Sequence, residues 1–157
     1  MSLRLAEIKD TEIVTELLLD FHRASPYRGL VADPSRVKNL VQQTIFADRS
    51  RNIVILWDNE FHQTVGMIIG QAAEFSITGD LIASELAWYV HPGFRKTSAG
   101  KELLEAYEFW ATKIGCRFIQ TVALNDRTLP VLKRHYERNG YEMFETCFLK
   151  EINNGSD

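Results

Sequence analysis

Apolar and polar positions along the chain follow two periodicities, which divide it into strands and helices. Apolar residues at three-and-four spacing predict four helices, over residues 11–21, 34–45, 99–114 and 128–138. Alternating positions and short runs rich in β-branched and aromatic residues predict six strands, over residues 2–8, 53–57, 64–75, 85–90, 118–124 and 141–152.

This order, βααβββαβαβ, predicts an α+β fold with one mixed central sheet and helices on both faces. The helix between the strands at residues 85–90 and 118–124 makes those two strands parallel, and the earlier strands form an antiparallel meander. A chain of 157 residues with 45% apolar content is typical of one domain, here residues 1–152. We expect residues 153–157 to form a flexible tail.

Several single residues refine this outline. Asp10 is predicted to cap the first helix, and Asp33 precedes a proline that suits the first turn of the second. The buried stripe of that second helix includes Leu40. Gly66 and Gly70 interrupt a strand, which indicates bulges or a close approach of another element.

Composition narrows the function. A net charge of −3 argues against binding nucleic acid without regard to sequence. The sequence contains no apolar run of membrane-spanning length and no export signal, so we expect no membrane association. Cys116 and Cys147 lack metal-type spacing, and we expect both to be reduced and buried in a cytoplasmic protein.

The turn between the strand at 85–90 and the third helix carries the clearest chemical signal. Residues 94–101 contain three cations, several small side chains and no acidic residue. A helix begins with unpaired backbone N–H groups and the positive end of its dipole, and small residues let an anion approach them. The segment therefore predicts a phosphate site. The alternative is an exposed basic helix start that binds nothing.

Two motifs in this region resemble those of the GNAT superfamily of N-acyltransferases. Val90-His91-Pro92 followed by Arg95-x-x-Ser98-x-Gly100 resembles its acyl-CoA signature, in which Gln or Arg is followed by Gly-x-Gly or Gly-x-Ala after two residues. The segment 135–141 resembles its second motif, with Tyr136 four residues before a Gly-aromatic pair. Ser98 replaces the first glycine of the signature, so its Cβ crowds the phosphate while its hydroxyl is able to donate to it. The predicted element order is also that of the family.

The resemblance implies that acetyl-CoA is the co-substrate and that its acetyl group passes to a primary amine by direct attack. The acceptor is then a small molecule or an amine of a protein or peptide. The cofactor-binding residues that the family pattern places are Trp88, Tyr89 and Val90 for the pantetheine, Arg95, Lys96, Thr97, Ser98, Ala99, Gly100 and Lys101 for the pyrophosphate, and Asn125 at the end of a strand.

The resemblance also assigns the proton transfers. Tyr136 is the candidate acid for the departing thiolate, since a phenol with an ordinary pKa of about 10 keeps its proton at neutral pH. Glu85 is the candidate base, with His91 or a water relay as alternatives.

The acceptor side is expected between the loop at residues 24–32 and the turn at residues 75–80. Tyr27 and Arg28 in this loop, with Arg23 just before it, either bind the acceptor or are merely exposed to solvent. GNAT domains often form dimers, so the resemblance is compatible with a homodimer.

Two other functions compete with acetyl transfer. One is a catalytically silent GNAT-fold module that binds acyl-CoA or a protein, and the other is a phosphate or nucleotide binder that uses the same basic turn. No P-loop, Gly-x-Ser-x-Gly elbow or metal-ligand spacing is present in the sequence, so neither a metal nor a nucleophilic triad is predicted.

Overall fold

The computed structural model describes residues 1–26 and 30–150. The chain divides into two compact units, residues 1–122 and 123–157, and each is described by itself. The predicted tail, residues 153–157, lies outside the described residues. Within the described ranges, no helix combines the length and the apolar composition that crossing a bilayer requires.

The first unit holds a sheet and three long helices. Its elements are β1 Ser2–Leu5, α1 Thr11–Ala24, α2 Pro34–Phe46, β2 Asn52–Asp58, β3 Thr64–Glu74, β4 Leu81–Val90, α3 Ala99–Lys113 and β5 Phe118–Gln120. The second unit contains α4 Leu129–Arg138. This arrangement confirms the predicted α+β fold.

The five strands lie in the order β1-β2-β3-β4-β5. The first four pair antiparallel, and β5 runs parallel to β4, as the helix between them requires. α1 and α2 cover one face of the sheet, where Val14 and Val41 join Leu56 and Met67 in one buried cluster. α3 covers the other face. Helices on both faces explain why β2 and β3 are almost continuously buried.

α3 fits closely on its face of the sheet because β3 has no side chain at Gly70. A Cβ atom at this position would lie 2.5 Å from Cε2 of Tyr107. The Tyr107 ring is fully buried, stacks on Trp110 and donates from its hydroxyl to the carbonyl of Gln120 at 3.3 Å. The ring therefore has nowhere to move, and the predicted close approach at Gly70 is confirmed.

The prediction that the Asp10 side chain caps α1 is wrong. Its carboxylate instead accepts from both terminal nitrogens of Arg4, at 2.7 and 3.1 Å, and from the Glu7 amide at 2.8 Å. Arg4 also donates to Asp58 at 2.7 Å. A guanidinium offers five donors, so Arg4 of β1 is able to satisfy the two buried carboxylates of Asp10 and Asp58 together. Asp33, in contrast, caps α2 as predicted, accepting from the amides of Ser35 and Arg36.

Two predicted strands differ from those observed. β5 stops at Gln120 instead of residue 124, and Phe118 is 57% exposed, so this strand is not buried. Residues 141–150 form no strand, and residues 151 and 152 lie outside the described part. The apolar residues of this segment are exposed, Phe144 to 91% and Phe148 to 92%. Apolar and β-branched residues favour strands because they pack against a neighbouring strand. The composition of this segment does not by itself provide such a neighbour.

The predicted burial of the cysteines is also wrong. Cys116 is half-buried just after α3, and Cys147 is exposed within residues 141–150. Both thiols are free.

Substituting Gly70 by Ala should lower the free energy of unfolding by about 1–3 kcal/mol, because the new methyl group overpacks against the immobile Tyr107 ring. Urea denaturation measures this change. Gly93→Ala is the matched control, since its Cβ would meet no atom closer than 3.5 Å and should change stability by less than about 0.5 kcal/mol. Equal effects of the two substitutions would contradict this account.

Candidate active site

β4 contains a bulge at Leu86. Ile69 of β3 lies opposite Ala87 and Gly70 lies opposite Glu85, so Leu86 is an extra residue on β4. Opposed residues share a face of the sheet, and the Tyr107 ring of α3 lies over Gly70. Glu85 is therefore on the α3 face. The prediction of a bulge near Gly70 is thus confirmed, with the extra residue on the neighbouring strand.

The other edge of β4 separates from β5 at the same level. The ladder between these strands consists of Ile82–Ser84 paired with Phe118–Gln120 and ends at Ser84. From Glu85 to Val90, β4 has no partner in β5. The Val122 amide donates to the Glu85 carboxylate at 3.2 Å. A side chain thus accepts the hydrogen bond that a β4 carbonyl would accept in a continuous sheet. The result is a gap between the two strands beyond Ser84.

The Glu85 carboxylate lies in this gap and is 7% exposed. Burial raises its pKa to about 7, and the hydrogen bond from the Val122 amide opposes that rise in part. A carboxyl group that titrates near neutral pH is suited to accept a proton there. Sequence reasoning required such a shift for Glu85 to act as a base.

His91, the alternative base, occupies a different environment. Its ring is exposed, and Nδ1 accepts from the Gly93 amide at 3.3 Å. This contact directs the ring toward the turn that follows β4, as its place before Pro92 predicted.

The turn after β4 is held by its own side chains. Arg95 Nε donates to the Val90 carbonyl at 3.0 Å, and the guanidinium lies 5.7 Å from the centre of the Tyr89 ring. The Thr97 hydroxyl donates to the Phe94 carbonyl at 2.7 Å and accepts from the Ala99 amide at 3.2 Å. Arg95 and Thr97 thus fix the backbone of the turn.

Four amides in and after this turn have no acceptor within the described chain: those of Lys96, Ser98, Gly100 and Lys101. The first backbone bond that closes α3 runs from the Glu102 amide to the Ser98 carbonyl at 2.9 Å. These donors, at the positive end of a 15-residue helix, form the kind of site that binds phosphate oxygens. Gly100 packs against Trp88, whose Cζ2 would lie 3.4 Å from an added Cβ.

Charge at the helix start is more balanced than the sequence analysis assumed. The ammonium of Lys101 lies 3.6 Å from Glu105, an exposed pair of small energetic effect. The Glu102 carboxylate accepts from Nε1 of the fully buried Trp57 at 2.8 Å. Hydrogen bonds from Ser98 and Trp57 keep the pKa of Glu102 below its usual range, so it is ionised in the first turn of α3.

Sequence reasoning missed Glu102, because Ser98 and Glu102 are four residues apart and not at the three-residue spacing of a capping box. Ser98, the departure from the family signature, lies close enough to Glu102 to favour the ionised form of that carboxyl group. The Ser98 amide, as described above, has no acceptor.

The second unit contains the other two predicted site residues. Tyr136 on α4 is buried, and its ring centre lies 5.4 Å from that of Tyr141. Gly140 has a φ of 82°, which ends α4 and lets the Tyr141 amide reach the Tyr136 carbonyl at 3.0 Å. Asn125 is exposed in the preceding turn, next to Asp126, which accepts from the Thr128 amide at 2.7 Å.

The predicted acceptor-side loop is described only in part. Tyr27 and Arg28 lie outside the described residues, and Arg23 forms an ion pair with Asp20. The turn at residues 75–80 exposes Ile77 to 85%. Among the described residues, His, Cys, Asp and Glu side chains form no group of three that is able to hold a metal ion.

Comparison with solved structures supports the fold. An aminoglycoside antibiotic 6′-N-acetyltransferase from Acinetobacter haemolyticus is 16% identical with a TM-score of 0.74, over 98% of this chain and 100% of that one. A ribosomal-protein-alanine N-acetyltransferase from Brucella melitensis is 15% identical with a TM-score of 0.70, over 97% and 100%. AAC(6′)-Iy in complex with the bisubstrate analogue CoA-S-monomethyl-acetylneamine is also 15% identical, with a TM-score of 0.75 over 97% of both chains.

No curated protein matches the sequence. The family model described as the acetyltransferase (GNAT) family, in contrast, matches residues 13–141, which include the gap along β4, the amide-rich turn and the tyrosine motif. This match covers most of the chain and agrees with the fold of the solved structures. The chain therefore belongs to the GNAT family of acetyltransferases.

Proposed function

We propose that this protein transfers the acetyl group of acetyl-CoA to a primary amine by direct attack, without a covalent enzyme intermediate. The observation that carries the proposal is the continuity of two features: the part of β4 from Glu85 to Val90, which does not pair with β5, leads directly into the turn with free amides at the start of α3. An extended chain ending in a pyrophosphate, which is the shape of acetyl-CoA, matches that path.

The free amides account for cofactor affinity. A hydrogen bond from an amide to a charged oxygen contributes roughly 1.5–3 kcal/mol, so those of Lys96, Ser98, Gly100 and Lys101 are enough to hold a pyrophosphate. The ionised Glu102 opposes this attraction in part. Backbone groups of Trp88, Tyr89 and Val90, in the part of β4 that is not paired with β5, would bind the pantetheine as an added strand binds a sheet edge.

In the proposed reaction a neutral amine nitrogen attacks the thioester carbonyl, and a backbone N–H of β4 stabilises the oxyanion that forms. The C–S bond then breaks, and CoA leaves as a thiolate. Glu85 takes the proton that the amine loses, because its carboxyl group is half ionised near neutral pH. Tyr136 gives its phenolic proton to the departing thiolate, a role that rests on the family motif. The proposed cofactor contact of Asn125 rests on the same comparison.

Acetyl-CoA binding distinguishes this function from a nucleotide-binding one. At a concentration of about 100 times Kd, acetyl-CoA should stabilise the protein by about 2.7 kcal/mol, which raises Tm by roughly 5–10 °C. Differential scanning fluorimetry measures the shift, with ATP at the same concentration as the control. Release of CoA thiol in the presence of an amine panel then tests transfer. Binding without thiol release would favour the catalytically silent module, and a preference for ATP would favour the nucleotide binder.

Glu85→Gln should act in opposite directions on activity and on stability. Transfer at pH 8 should fall by about 10²–10⁴-fold, and the loss of wild-type kcat/KM below pH of about 7 should be absent in the variant.

The folded-state pKa of Glu85 is raised from 4.5 to about 7, so ionising it destabilises the fold as pH rises between those values. The variant should therefore be more stable than the wild type by up to about 3 kcal/mol at pH 8 and of equal stability near pH 4. Urea denaturation at both pH values measures this. A loss of stability at pH 8 would show that Glu85 is a structural residue.

Tyr136→Phe should lower kcat by about 10²–10⁴-fold while leaving the KM for acetyl-CoA within about twofold, because the ring remains and only the proton is lost. Steady-state kinetics at saturating amine measure both parameters. Tyr141→Phe, which removes the hydroxyl of the neighbouring ring, is the matched control and should retain the activity of the wild type. Equal kcat values for the two variants would rule out Tyr136 as the acid.

A further inference from the structure

A small cavity opens between α1, α2 and the sheet. Its volume is about 90 Å³. Val14 lines it from α1, Val41 from α2 and Ile69 from β3, while Leu86 and Ala87 line it from β4. Thr44 contributes a polar side chain to this apolar lining. The cavity therefore favours a hydrocarbon group over a polar one.

Two leucines at this cavity are unusually exposed. Leu40 belongs to the apolar stripe of α2, and the sequence predicts it to be buried, yet 54% of it is exposed. Leu86 belongs to the apolar run of β4 and is 51% exposed. Both residues line the same cavity. Two large aliphatic side chains thus lie at one opening, where an apolar ligand would cover them.

The cavity lies beside the β4 bulge, next to the candidate active site. The bulge adds Leu86 next to Ala87 on the cavity side, opposite Ile69, and leaves Glu85 on the α3 side. The edge of β4 that has no partner in β5 begins at Glu85. A molecule seated in the cavity is thus one residue away from the gap, and it approaches from the face opposite to the helix that carries the free amides.

We propose that this cavity binds a compact apolar group of the acceptor, so that the substrate is a primary amine with a branched aliphatic or single-ring substituent near its nitrogen. This inference rests on the proposed acetyl transfer. The volume equals about three water molecules of bulk liquid, which suits a side chain of four to six carbon atoms. A polyhydroxylated acceptor would leave its hydroxyl groups without partners in this lining.

The test compares amines of nearly equal shape on the intact protein with saturating acetyl-CoA. Leucinamide and asparaginamide represent a peptide N-terminus, and 3-methylbutylamine and 3-aminopropanamide represent a free small amine. The apolar member of each pair should have the higher kcat/KM by about ten- to hundredfold. The pair with the larger kcat/KM identifies the source of the acceptor.

A rim variant locates the preference. Leu40→Glu should reduce the ratio of kcat/KM for leucinamide to that for asparaginamide toward one, because a charged side chain at the rim removes apolar surface that the leucine side chain would cover. The KM for acetyl-CoA should stay unchanged. Phe46→Glu is the matched control: Phe46 is on the same helix, 74% exposed and outside the lining, and its substitution should change neither value.

Equal rates for both members of each pair would overturn the apolar subsite while acetyl transfer stands. Absence of both acetyl-CoA binding and transfer would instead overturn the proposed function. In that case methyl NMR tests whether the cavity binds an apolar group independently of catalysis. Leucinamide, and not asparaginamide, should shift the methyl signals of Val41, Ile69 and Leu86. No shift with leucinamide would overturn the inference.

Discussion

The hydrogen-bond ladder on each side of β4 governs the first unit of the chain. Toward β3 the ladder continues along the whole strand but takes in one extra residue, Leu86. Toward β5 it ends after three pairs. Because unpaired backbone groups in a protein interior are costly, a sheet opens in this way only where something else satisfies them. The Glu85 carboxylate does so for the Val122 amide, and the Arg95 side chain does so for the Val90 carbonyl at the end of β4.

α3 converts that opening into a site with a defined end. Its position is fixed by close packing, since the Tyr107 ring fills the space that Gly70 leaves. The first turn of the helix therefore has a fixed position relative to the end of β4. Its amides follow, along the chain, the part of β4 that does not pair with β5. Burial raises the pKa of Glu85, which lies on the same face of the sheet as this helix.

Hydrophobic periodicity was enough to predict the helices, the central strands and their mixed pairing, because those elements bury one or both faces in a regular way. It failed at β5 and at residues 141–150, where apolar residues such as Phe118 and Phe148 are exposed. It also missed the exposure of Leu40, since the spacing of residues along a helix does not reveal whether the facing surface is filled. The phosphate-type turn was readable from its small and basic residues. The tether of Arg95, the ionised Glu102 and the shifted Glu85 depend on partners distant in sequence, such as Trp57 and Val122, and required the three-dimensional structure.

The contact between Arg95 and the Val90 carbonyl has a consequence for the rate of ligand capture. Together with the Thr97 hydroxyl it shapes the turn before any ligand arrives. The conformational entropy of this segment is therefore lost during folding and not on association. A turn that is already ordered would let an anion bind by simple collision, without a slow rearrangement of the backbone.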